Sequence, residues 1–74
     1  MQIVNVKKVR VNDLWPGDTV IINEFFMRVI TVESEPFIAS VPENTLAVLK
    51  LQLLDGSSKY AFGYDWDAPI DLVG

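Results

Sequence analysis

The side chains that carry most protein chemistry are missing from this sequence: its 74 residues include no histidine and no cysteine. Serine–histidine–aspartate and cysteine–histidine nucleophile systems therefore cannot be assembled. The thiolate and imidazole ligands that zinc prefers are absent as well, and no disulfide can form. What remains for acid–base work is carboxylate. Asp65 and Asp67, like Glu33 and Glu35, stand two residues apart, so on a strand each pair would share a face. Such pairs hydrolyse glycosides only across a sugar-sized cleft, which is hard to carve from so short a chain. Asp65, Asp67 and Asp71 would supply calcium with too few oxygens, since that ion takes about six to eight from a loop whose spacing is absent here. The plainer reading of these aspartates is capping of a short turn. The expectation is a protein that is not an enzyme and holds no cofactor and no metal.

Binding chemistry is better represented. Trp15, Tyr60, Phe62, Tyr64 and Trp66 are the aromatic residues able to line a groove for a peptide or a cation. They are equally the residues that fill small β cores, and Phe62 is read as core. Trp15 and Trp66 differ in standing beside turn signals, Pro16-Gly17 and Ala68-Pro69. A tryptophan on a turn offers a large contact area with few rotatable bonds, and loops held by a rigid scaffold commonly carry binding residues. Trp15, Tyr64, Trp66 and Asp67 are accordingly the expected partner-binding residues, with the acidic neighbours favouring a basic partner. The competing account is that the rings close one end of the core. Lys7, Lys8 and Arg10 form the basic cluster, but six basic residues stand against ten acidic ones, for a net charge of −4. Phosphate binding needs clustered cations, so nucleic acid is not the expected partner. The charge is also polarised along the chain, with the basic cluster near the N-terminus and Asp65, Asp67 and Asp71 near the C-terminus.

The elements that must position these residues follow from alternation of apolar residues with period two. Ile3 to Val11 predicts a first strand, with a change of parity at Lys7-Lys8 that suggests a bulge. Pro16-Gly17 predicts a type II turn, because Pro presets the first central residue and Gly accepts positive φ at the second. Thr19 to Ile22 is a strand, Asn23-Glu24 a tight connection and Phe25 to Glu33 a longer strand. On the latter, Phe26, Arg28, Ile30 and Val32 take one face and Phe25, Met27, Val29 and Thr31 the other. Ser34 to Asn44, with Pro36 and Pro42, has no clean period and reads as the longest loop, with a short extended piece near Phe37 to Val41. Thr45 to Leu54 fits a helical stripe or a strand face; the Asp55-Gly56 turn before Tyr60, Phe62 and Tyr64 decides for a hairpin. A one-turn 3₁₀ connection over Asp65 to Ala68 and a last strand, Ile70 to Val73, complete the chain. The expected core is Val4, Val20, Ile22, Val29, Val32, Leu51, Leu53, Phe62 and Ile70.

Five to six short antiparallel strands with a 3₁₀ turn near the C-terminus predict an all-β, single-domain, small SH3-like barrel, closure hiding the sheet edges. The frame Val11-x-Asp13-Leu14-x-Pro16-Gly17-Asp18-x-Val20, then Arg28-Val29-x-x-Val32, Leu51-x-Leu53-x-Asp55-Gly56 and Asp67-Ala68-Pro69-Ile70, resembles small SH3-like β-barrel proteins of actinobacteria and their phages. The shared positions are turns and core, so the resemblance implies a fold and carries no catalytic residue. Half of the residues are hydrophobic and mean hydropathy is +0.26, rich for a domain with so little interior. A homo-oligomer is expected for that reason. No leader and no membrane span is read, so the expected compartment is the cytoplasm. The functional reading is a non-enzymatic protein-binding module, such as a phage or prophage accessory factor acting on a host protein. The alternatives are a nucleic-acid-associated small barrel and an acidic DNA mimic that inhibits a DNA-binding protein.

Overall fold

The computed structural model describes residues 5–38 and 41–74, with side chains described for all of these except residues 36–38 and 41–44. The predicted strands at Ile3 and Val4 and the core role of Val4 lie outside the described residues. The chain is all-β, with strands β1 (Val6–Arg10), β2 (Thr19–Ile22), β3 (Phe25–Ile38), β4 (Val41–Leu53), β5 (Lys59–Tyr64) and β6 (Pro69–Val73). They form one six-stranded sheet in the order β1-β6-β2-β3-β4-β5, and every neighbouring pair is antiparallel. The sheet is not closed: β1 and β5 are its edges. No helix among the described residues is long and apolar enough to cross a membrane.

The turn chemistry sets this path. Gly17 has φ +97°, and the Asp18 N–H donates to the Trp15 carbonyl at 3.1 Å, as a type II turn requires. The turn is tied to β3 by bonds from Gly17 N to Val29 O and from Val29 N to Asp18 O, each 2.8 Å. Asn23 and Glu24 join β2 to β3 with φ of +50° and +70°. A two-residue connection with both angles positive matches strand twist, although a glutamate pays for it in steric strain. The Asp55-Gly56 signal does mark a hairpin, but through a wider loop. Gly56, at φ +79°, donates to Leu53 O at 2.8 Å, and Asp55 accepts from the Ser57 N–H at 2.8 Å.

Among the described residues, ten apolar ones form the core: Val11, Leu14, Val20, Ile22, Met27, Val29, Ala47, Leu49, Leu51 and Ile70. Val20, Ile22, Val29, Leu51 and Ile70 were expected there. Val32, Leu53 and Phe62 pack against the cluster and are only partly buried. Val11 and Leu14 come from the link between β1 and β2, where a short 3₁₀ turn, Val11–Asp13, folds both inward.

Four expectations need correction. The 3₁₀ turn lies at Val11–Asp13 and not near the C-terminus. Asp65 to Ala68 makes a single turn bond, from Ala68 N to Asp65 O, and Pro69 at once starts β6. β1 pairs with β6 in unbroken register from Val6↔Val73 to Arg10↔Pro69, so no bulge falls at Lys7-Lys8. The bulge is on β3: the register passes from Val29↔Leu51 to Thr31↔Lys50, leaving Ile30 extra. Val32, opposite Leu49, therefore joins the face of Val29 and not that of Arg28. Finally, most of the supposed loop from Ser34 to Asn44 is strand. β3 and β4 run on as a two-stranded ribbon past the last residues that pair with β2 and β5. Pro36 fits because it stands at a second register shift, before Ile38↔Val41, where a missing N–H is tolerated.

The strained connection gives a direct test. Glu24→Gly removes the left-handed penalty and is expected to stabilise the fold by ~1 kcal/mol, which is ~4–8 °C in Tm for a domain of this size. Thermal unfolding followed by circular dichroism reads the shift.

Candidate protein-binding surface

The polarised charge of the sequence is resolved by the pairing of β1 with β6. Lys8 Nζ lies 2.8 Å from Asp71 Oδ1 across that ladder. Arg10 takes Asp13 through two bonds, Nε to Oδ2 at 3.3 Å and Nη2 to Oδ1 at 3.2 Å, and reaches Asp67 Oδ1 at 3.6 Å. The hydrogen bond to Arg10 holds the Asp13 carboxyl below the ordinary carboxylate range, and the same bond raises the guanidinium. These pairs are exposed, so their contribution to stability is small. They leave Lys8 and Arg10, two of the three residues in the basic cluster, with carboxylate partners.

The turn that carries Trp66 and Asp67 docks on the chain after β1. Val11 N donates to Ala68 O at 3.0 Å, and Asn12 N donates to Trp66 O at 2.9 Å. This places the Trp66-Asp67-Ala68 segment beside residues 10–12, three residues before Trp15. The two tryptophans then part company. Trp66 is half-buried against the core, and its indole N–H donates to Thr45 Oγ1 at 3.0 Å, tying the turn to β4. Trp15 is 74% exposed. Its backbone is fixed by its own N–H, which donates to Asp18 Oδ2 at 2.9 Å, and by the turn bond from Asp18. Leu14, beside it, is buried in the core. The result is a large apolar ring in water on a backbone that has little freedom to move.

Tyr64 belongs to a different arrangement. It lines the core-side face of β5 opposite Ala47, with Phe62 opposite Leu49 and Tyr60 opposite Leu51. Tyr60 and Phe62 stack at 5.9 Å between centroids, and Phe62 meets Tyr64 edge-on at 6.4 Å. Partial burial raises the Tyr64 hydroxyl above the ordinary tyrosine range. Of the four expected partner-binding residues, Trp66 and Asp67 share one turn, and Trp15 follows the segment on which that turn docks. Tyr64 ends the neighbouring strand.

Several exposed apolar residues lie outside the four expected partner-binding residues: Phe25, Phe26 and Ile30 on β3, and Leu54 in the hairpin loop. Phe25 and Met27 join Tyr60, Phe62 and Asn23 around a pocket of about 140 Å³. Ile30, thrown out by the bulge, lines a larger one of about 350 Å³ with Lys50, Lys59 and Tyr60. The sequence held a partial signal for Ile30: Val29 and Val32 were both assigned to the core yet differ in strand parity, and the extra residue between them reconciles the two. Among the described residues no group of acidic side chains is placed to hold a metal ion.

No protein-family model, curated protein or solved structure matches this chain.

The two tryptophans should separate in a stability measurement. Trp66→Ala is expected to cost ~2–4 kcal/mol, from lost packing and the orphaned Thr45 contact. Trp15→Ala is expected to stay within ~0.5 kcal/mol of the parent, as surface changes do. Urea unfolding of both variants checks the contrast.

Proposed function

We propose that this chain is a non-enzymatic protein-binding module, an SH3-like barrel in which Trp15 is the principal contact and Trp66 and Asp67 flank it. The observation that carries the reading is Trp15 itself: 74% exposed, on a turn fixed by Asp18 and by two bonds to Val29. Leaving an indole in water gives up hydrophobic stabilisation of ~1.5–3 kcal/mol, and a partner that covers it recovers that energy with little loss of conformational freedom. The barrel reading is supported by the short link between β5 and β6, which joins one edge of the sheet to the strand beside the other edge, and by the Asn12 N–H, which donates to Trp66 O within that link. The resemblance to small barrels of actinobacteria and their phages makes a host protein in the cytoplasm the first class of partner to seek.

Capture from a host extract with immobilised protein tests this. A specific protein retained by the parent and lost, or weakened at least tenfold, in Trp15→Ala is the expected outcome, with the circular dichroism spectrum unchanged. Retention should survive moderate salt. Capture of nucleic acid that falls away steeply with salt, or protein capture indifferent to Trp15→Ala, sinks the proposal.

A further inference from the structure

The two edges of the sheet are treated differently. On β1, the flanking bonds from Gly74 N to Asn5 O and from Val11 N to Ala68 O fix the alternation of the ladder. The main-chain groups of Val6, Lys8 and Arg10 therefore face outward. That edge is guarded: the Arg10 N–H is within 3.4 Å of Asp13 Oδ2, and Lys8 and Arg10 are held in ion pairs beside it. Charged side chains along an edge are how sheets avoid unwanted pairing.

β5 has no such guard. The bond from Leu53 N to Ser58 O, together with the register Leu51↔Tyr60 and Leu49↔Phe62, turns the N–H and C=O groups of Lys59, Ala61 and Gly63 outward. Two of these residues carry almost no side chain. Lys59 is the edge's one charge, and among the described residues it has no ion-pair partner. Tyr60, Phe62 and Tyr64 alternate with them as a continuous aromatic row.

We propose that β5 pairs antiparallel with β5 of a second copy of this chain, the two-fold axis passing at Phe62. This goes beyond the partner reading above and uses a different surface from Trp15. Outward groups must meet outward groups, so the strand centre leaves two registers, centred on Ala61 or on Phe62. Centring on Ala61 puts Lys59 opposite glycine and leaves Tyr64 facing Ser58. Centring on Phe62 sets Tyr60 against Tyr64 and Phe62 against its own copy, and brings Lys59 opposite Asp65, which directly follows the strand. Opposite charges and paired aromatics across strands both favour that register. By symmetry the Lys59–Asp65 pairing forms on both sides of the axis, as an isologous interface requires.

Two proline variants test the edge, because proline is tolerated where an N–H points to solvent and blocks pairing there. Sedimentation should show a dimer for the parent and for Lys8→Pro, and a monomer with an unchanged circular dichroism spectrum for Ala61→Pro. Lys59→Glu should weaken the dimer several-fold, and adding Asp65→Lys should restore it; this pair keeps the test intact if Ala61→Pro fails to fold. The register is read by oxidising single-cysteine variants in a chain that otherwise has none: Phe62→Cys should cross-link efficiently and Ala61→Cys poorly. A parent that remains monomeric up to millimolar concentration overturns the proposal, as does a dimer that survives Ala61→Pro. Preferential cross-linking of Ala61→Cys overturns the register. Trp15→Ala should leave the dimer intact, so failure here and failure of partner capture are separate results.

Discussion

Everything in this fold leans on one face of β4. Ala47, Leu49 and Leu51 alternate along it and are wholly out of water. Each is flanked on both sides, by Ser34, Val32 and Val29 of β3 and by Tyr64, Phe62 and Tyr60 of β5. With no disulfide and no histidine or thiolate metal site to help, a domain this small depends on such a row being filled without gaps. Replacing any of these three with a polar residue would bury an unsatisfied group at the point where two ladders meet. The bulge at Ile30 serves the same row: by adding one residue it returns Val32 to the face of Val29, so β3 can cover Leu49 as well as Leu51.

The turns were legible because their chemistry is local. Gly17, Asn23 and Gly56 each announce a reversal as residues that accept unusual φ values, and the strands between them then alternate against a buried face. The ribbon beyond the sheet was illegible for the complementary reason. Among the described residues, Ser34 to Ile38 and Val41 to Thr45 pair only with each other, so no flanking strand imposes a period, and the two prolines read as loop. Val11 and Leu14 were missed because their burial comes from a 3₁₀ turn, whose inward side chains do not follow strand parity.

The candidate surface divides along the same line. Nothing local distinguishes Trp15 from Trp66, since each follows an acidic stretch or turn and precedes a proline signal. What separates them is a contact across the chain, the indole of Trp66 on Thr45, twenty-one positions earlier. The charge clusters were visible in the sequence but their pairing was not: β6 brings Asp71 to Lys8, and the turn before it brings Asp67 to Arg10. The edge character of β5 was likewise outside the reach of sequence, because which strand lies last in a sheet is a fact of topology.

The pairing of β1 with β6 has a consequence for how the molecule folds. Val6 meets Val73, and Asn5 accepts a bond from Gly74, so the outermost described segments are neighbours in space. β3, β4 and β5 follow one another in the chain and pair as neighbours, so they can zip together through local contacts. β1 precedes all of them and its partner β6 follows all of them, so the β1–β6 ladder closes the longest loop in the sheet. Until that loop closes, the lysines and arginine of β1 keep an unpaired strand averse to pairing with its own kind; once it closes, Lys8 and Arg10 meet Asp71 and Asp67.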